Sequence, residues 1–154
     1  MSALPKPPPS SAVETVDTRF LETLMGYNAR RASLAIVEHF MRRMAPYDLR
    51  IVDFSVLSLI AHNPGITSRQ LCATLNVLPP NLVGLIAALE RRGLIERRPH
   101  PSDGRAMGVH LTPAGVELTA QAEQTAAQLE EDATSRLTEA ERKTLIRLLQ
   151  KVYD

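Results

Sequence analysis

A single cysteine, Cys72, stands among 154 residues. No internal disulfide can form, and no Cys-rich zinc or iron–sulfur site is available. Apolar runs are short: none approaches the ~20 residues a membrane span requires, so no membrane partner is expected. Histidines number four, and His39, His62, His100 and His110 show no H-x-x-x-H spacing, so no metal site is expected. There is no Gly-rich phosphate loop and no Ser/His/Asp or Cys/His constellation, and the carboxylates fall at solvated spacings on helical patterns. The sequence therefore predicts neither an enzyme nor a bound cofactor. Net charge is only +1, which by itself selects no partner.

What is present fits a folded domain. Hydrophobic residues make up 44% and charged residues 23%, near the globular average, and the length suits one domain, or one compact domain with an oligomerisation extension. The start, MSALPKPPPSS, has one Lys and no apolar stretch, so it does not read as a secretory leader and a cytoplasmic location is expected. Charge is unevenly spread. Residues 61–110 carry six basic residues against three acids, whereas residues 112–154 carry five against eight. A basic middle followed by an acidic end points to one segment that meets a polyanion and another that does not.

Residues 1–12 are rich in Pro and Ser and are expected to form a disordered tail. From Val13, apolar residues recur at steps of three and four through Val16, Phe20, Leu24, Tyr27, Leu34, Val37, Met41 and Met44, with one doubled step at Arg31. That spacing predicts one long amphipathic helix, ended by Pro46. Arg31 lies within its apolar stripe. A second helix is expected over about Asp48–Ala61. Thr67 and Gln70 then have capping-box spacing between Ile66 and Leu71, which opens a short helix through Leu75. After a brief turn, Leu78-Pro79-Pro80-Asn81 opens another helix that ends at Gly93. Two short helices joined by a tight turn outline a helix-turn-helix.

Beyond Gly93, Leu94–Arg98 and Met107–Leu111 read as strands around a turn-rich stretch, a β-hairpin with a basic tip. Thr112 and Pro113 suit the cap and first position of a helix to about Ala133. Thr138 and Glu141 form a second capping box before a last helix. The expected fold is mainly α with a small β-hairpin wing.

Three blocks of sequence carry a family resemblance. Leu89-Glu90-Arg91-Arg92-Gly93-Leu94-Ile95-Glu96-Arg97, Pro101-Ser102-Asp103-Gly104-Arg105 and Val109-His110-Leu111-Thr112-Pro113-Ala114-Gly115 resemble the L-E-x-x-G-L-[IV]-x-R run, the D-x-R wing and the L-T-x-x-G helix start of the multiple antibiotic resistance regulator (MarR) family of winged-helix transcription factors. The resemblance spans roughly residues 15–153. It implies a homodimer: 13–47 as N-terminal dimerisation helix, 48–111 as winged helix-turn-helix domain and 112–154 as C-terminal dimerisation helices. It further implies a pseudo-palindromic DNA operator and a small aromatic acid or phenolic effector that releases it.

On that reading the recognition helix enters the major groove. Positions the family often fills with Ser, Thr, Arg or Lys are here Pro79, Pro80, Asn81, Gly84, Leu85 and Ala88. Asn81 is the amide able to contact adenine in bidentate fashion, worth ~1–3 kcal/mol of discrimination; it also suits a helix cap. Pro and Ala can touch a thymine methyl. The D-x-R arginine of the family enters the minor groove, which assigns that role to Arg105 with Asp103 orienting it, but Gly104 replaces a usual second arginine. Arg97 and Arg98 alternate faces, so one of them serves structure. Thr67, Ser68, Arg69 and Gln70 are further phosphate candidates.

For the effector, Arg31 is the candidate counter-ion of a carboxylate whose ring packs on Tyr27, Phe54 or Leu57, with His39 and His62 as hydrogen-bond partners. The competing reading pairs Arg31 with Glu130, Glu131 or Asp132. Some relatives sense peroxides through a first-helix cysteine. Cys72 instead follows a core residue of the helix-turn-helix and reads as a buried, inert thiol. An alternative function is a winged helix that binds protein rather than DNA, because its recognition face is short of polar side chains.

Overall fold

The structure is a computed structural model that describes residues 15–154; the expected 1–12 tail lies outside them. Two compact units divide the chain, Met1–Ser33 and Leu34–Asp154.

The expected single N-terminal helix is interrupted. A short helix α1 (Arg19–Glu22) precedes α2 (Met25–Met44), which runs on into the second unit. The break at Thr23-Leu24 is held by side chains that take up backbone carbonyls. Thr23 Oγ1 donates to Phe20 O at 2.7 Å, and Asn28 Nδ2 donates to Glu22 O and Leu24 O at 2.8 Å. Apolar periodicity carried no sign of this competition between side chain and ladder.

In the second unit, Pro46 converts the end of α2 into a 3-10 turn over Ala45–Tyr47, and Asp48 adopts a left-handed conformation with φ 49°. The next helix, α3 (Ile51–His62), therefore begins three residues after Asp48, not at it. Asp53 fixes its start, accepting the Arg50 backbone N–H at 3.0 Å and its Nε at 2.9 Å. Next come β1 (Ile66–Thr67), α4 (Ser68–Leu75) and α5 (Pro79–Arg91). The antiparallel wing strands are β2 (Ile95–Pro99) and β3 (Met107–Leu111), and β1 pairs with β3 to complete a three-stranded sheet ordered β1-β3-β2. The two-residue β1 was not expected, because its run is too short for any alternation to show. Helices α6 (Pro113–Ala133) and α7 (Glu139–Tyr153) follow their predicted capping signals at Thr112 and Thr138.

The core of this unit gathers Met44, Val56, Leu57, Ile60, Leu71, Leu82, Ile86, Leu89, Val109 and Leu129. Burying each such side chain contributes roughly 1.5–3 kcal/mol. Cys72 is partly buried and packs against this core. Helix α7 contrasts with it: none of its residues is buried, and Leu145, Ile146, Leu149 and Val152 are exposed.

Candidate nucleic-acid interface

Helix α4 starts as its sequence dictates. The Gln70 N–H donates to Thr67 Oγ1 at 3.3 Å, and the Thr67 N–H donates to Gln70 Oε1 at 2.9 Å. Both side chains are thus engaged in capping. Ser68 and Arg69 beside them are exposed, and Arg69 has no ion-pair partner among the described residues.

Helix α5 buries Leu82, Leu85, Ile86 and Leu89. Its helical period therefore turns Pro79, Pro80, Val83 and Gly84 outward, with Asn81 also exposed. Leu85, expected among the DNA-facing positions, belongs to the core. Val83 takes an outward place that the sequence reading missed, although the spacing of the buried leucines was the signal for it. The cap of α5 is Leu78, and the Asn81 backbone N–H bonds Leu78 O at 3.0 Å. The Asn81 side chain has no hydrogen-bond partner among the described residues, so it does not cap the helix.

Gly84 sits mid-helix, and a Cβ built there meets nothing within 4 Å. The fold supplies no steric reason for glycine, which costs about 0.5–1 kcal/mol relative to alanine in a helix. Gly84→Ala is expected to raise stability by about that amount in urea unfolding. If its affinity for a DNA duplex falls at the same time, the helix lies close against the nucleic acid.

The wing separates its arginines. Arg97 Nε and Nη2 each donate to the Glu90 carboxylate at 2.9 Å, which ties β2 to α5. Glu90 raises the Arg97 pKa by that bidentate bond. Arg98 pairs with Glu96 on its own strand. Arg105 is exposed, with no ion-pair partner among the described residues. Asp103 Oδ1 accepts the Arg105 backbone N–H at 3.1 Å, so Asp103 shapes the turn and does not grip the guanidinium. Because Arg97 and Glu90 are both partly exposed, Arg97→Ala is expected to cost at most about 1 kcal/mol. A loss above about 2 kcal/mol in chemical denaturation contradicts this, since partly exposed pairs do not reach it.

Two further contacts hold the helix-turn-helix in place, and the sequence did not reveal them. Arg92 Nη1 and Nη2 donate to Asp48 O and Tyr47 O at 2.8 Å, which anchors the end of α5 to the turn before α3. At the wing base, Thr112 Oγ1 donates to Gly93 O at 2.6 Å and the Thr112 N–H to Leu94 O at 3.0 Å. The recognition helix, wing and start of α6 are thereby joined at one point.

The effector candidates fall in both units. In the first, Tyr27 is half-buried and Arg31 exposed, without an ion-pair partner among the described residues. In the second, Leu57 has no exposed surface and serves the core, not an open pocket wall. Phe54 is half-buried and meets Phe40 edge to face at 5.8 Å between centroids. His39 is half-buried. His62 Nε2 lies 2.9 Å from Glu123 Oε1, which also accepts from Ser58 Oγ at 2.7 Å. Of the acids weighed against Arg31, Asp132 pairs with Arg43 at 2.6 Å and Glu131 lies 3.9 Å from Arg142. Among the described residues no group of three or more His, Cys, Asp or Glu is placed to hold a metal ion, and no single helix is long and apolar enough to cross a membrane.

Known proteins share this arrangement. A MarR family model matches residues 47–106. A protein of Thauera aromatica named as a transcriptional regulator for the hcr operon is 34% identical over 130 residues, covering 84% of this chain and 78% of that protein. The transcriptional repressor CouR bound to a 23-mer DNA duplex superimposes with a TM-score of 0.85 at 34% identity, covering 92% of this chain and 100% of that one. CouR bound to p-coumaroyl-CoA gives a TM-score of 0.77 at 33% identity, covering 90% of this chain and 97% of that one. With the helix-turn-helix, the wing and identity sustained across most of both chains, this protein belongs to the MarR family of winged helix-turn-helix transcription regulators, a family of regulators and not of enzymes.

Proposed function

We propose that the chain works in the cytoplasm as a homodimeric, ligand-responsive repressor that binds a pseudo-palindromic operator and leaves it when a small aromatic acid or phenolic compound binds. One observation carries the DNA reading: Arg69, Asn81 and Arg105 lie on α4, α5 and the wing of one unit, all exposed and without side-chain partners among the described residues. Folded surfaces pair or solvate their cations, and duplex phosphates are the counterpart such a set fits. Thr67, Ser68, Gln70, Pro80, Gly84, Arg97, Arg98 and Asp103 complete the proposed interface as capping, backbone or wing residues. CouR, captured on a DNA duplex, supports this reading over a protein-binding module.

The dimer reading rests on unburied apolar surface. Helix α7 leaves Leu145, Ile146, Leu149, Val152 and Tyr153 exposed, and the first unit does the same with Val16, Phe20 and Met25. Apolar patches of this kind mark association surfaces. A two-fold dimer places its half-sites about one helical turn apart.

The acid reading rests on Arg31, which offers a carboxylate its counter-ion; the p-coumaroyl-CoA bound by CouR, a thioester without a free carboxylate, supports the phenolic ring alone. Release requires the effector to bind the DNA-incompetent form more tightly. Electrophoretic mobility of genomic fragments at two salt concentrations, with sedimentation at micromolar protein, tests the core of the proposal. A monomer, or a protein that ignores DNA in dilute buffer, ends it. Titrating benzoate and hydroxycinnamate into wild type and Arg31→Ala tests the counter-ion role: about tenfold weaker binding is expected for the variant, as loss of a charge-assisted pair implies. Equal affinity removes Arg31 from the site.

A further inference from the structure

From Pro79 to Ala88 helix α5 contains no charged residue. Its outward face is built of Pro79, Pro80, Val83 and Gly84, and Val83 is 65% exposed. Leu78, at the cap, is exposed as well. A lone exposed apolar side chain is ordinary, but these residues lie together within about two turns. Nor does helix propensity explain Val83, since a β-branched residue is a poor choice for an exposed helix interior. The neighbouring elements bring cations that lack ion-pair partners among the described residues: Arg69 on α4, Arg91 at the end of α5 and Arg105 on the wing.

An apolar strip accompanied by free cations matches one feature of duplex DNA. Phosphates rim the major groove, and the C5-methyl of thymine is the apolar group on its floor. We infer that Val83 is a specificity-determining residue, selecting a T·A pair in each operator half-site by packing its isopropyl group on the thymine methyl, with Pro79 or Pro80 completing the apolar contact. Sequence choice at that position then follows from burial of a methyl group and not from hydrogen bonds. Asn81, two residues earlier, projects from the opposite flank of the helix and takes no part in this contact. The inference rests on the proposed DNA-binding function.

Removing the methyl without touching the base-pairing edge tests it directly. A duplex is first selected from a random library with the full-length protein, and each thymine is then replaced in turn by deoxyuridine. Wild type is expected to bind about fourfold more weakly when the methyl under Val83 is removed in one half-site, and about fifteenfold more weakly when it is removed in both. Val83→Ala is expected to bind the thymine duplex with about the same loss and to be indifferent to deoxyuridine at those positions. Alanine is the better helix former, so the variant keeps its fold, which its circular dichroism melt verifies. Equal binding of thymine and deoxyuridine duplexes overturns the inference, as does a deoxyuridine penalty that persists in Val83→Ala. Failure to shift any duplex in dilute buffer overturns the DNA reading itself, a different outcome from shifting duplexes without regard to their methyl groups.

Discussion

Gly115→Ala is expected to lower stability by about 3 kcal/mol, because the new Cβ has nowhere to go. Built onto the backbone, it lies 1.9 Å from Leu94 O and 2.9 Å from the same carbonyl carbon. Neither atom is the movable end of a side chain. The same Leu94 oxygen accepts the Thr112 N–H, so displacing it also loosens the junction of recognition helix, wing and α6. A loss of that size lowers the melting temperature by roughly 6–12 °C for a chain of this length. Scanning calorimetry at fixed protomer concentration measures it, since dimerisation makes the midpoint depend on concentration. Gly84→Ala is the internal contrast: its Cβ meets nothing within 4 Å, and its sign is opposite. A Gly115→Ala melt within about 2 °C of wild type shows that α6 does not approach the Leu94 backbone so closely.

On the proposed DNA reading, Arg105→Ala has the largest effect on binding. Hydrogen bonds to charged groups contribute about 1.5–3 kcal/mol each, so affinity is expected to fall by roughly tenfold to a hundredfold for each arginine seated in the groove. The plot of log affinity against log salt is expected to become shallower by about 0.9 for each phosphate no longer neutralised, and by about 1.8 when the substitution frees one phosphate under each protomer. Asp103→Ala, set against Asp103→Asn, which loses the same charge but keeps an acceptor oxygen, separates charge from shape. The alanine variant removes the acceptor that shapes the wing turn at the Arg105 N–H but keeps the cation, so affinity is expected to fall with the slope nearly unchanged. Arg97→Ala is the further contrast: its guanidinium is already held by Glu90, so its loss is expected to weaken binding less than that of Arg105. Unchanged affinity and slope for Arg105→Ala would falsify its place in the interface.

Much of this was legible in local chemistry. Thr67/Gln70 and Thr138/Glu141 name their helix starts because a cap needs those residue types at that spacing. Pro46, Gly93 and the Pro101–Gly104 turn mark ends just as reliably. The family blocks from Leu89 to Gly115 located the wing and the exposed Arg105. Where reading failed, the deciding partner was distant or the competing bond was local and polar. The break between α1 and α2 depends on Thr23 and Asn28 capturing carbonyls, and periodicity counts only apolar positions. Leu57 resembles a pocket residue in sequence, yet it is fully buried.

By itself the sequence determined the order of helices, the helix-turn-helix, the wing and the uneven charge, since each arises from neighbours within a few residues. The outward place of Val83 was likewise within reach of the sequence, through the spacing of Leu82, Leu85, Ile86 and Leu89. Tertiary structure alone decided which cations stay free: Glu90 claims Arg97 and the Tyr47 and Asp48 carbonyls claim Arg92, while Arg105 is left exposed. The reason is physical. A side chain's propensity is a local property, whereas its availability depends on which groups the fold brings within hydrogen-bonding or packing distance.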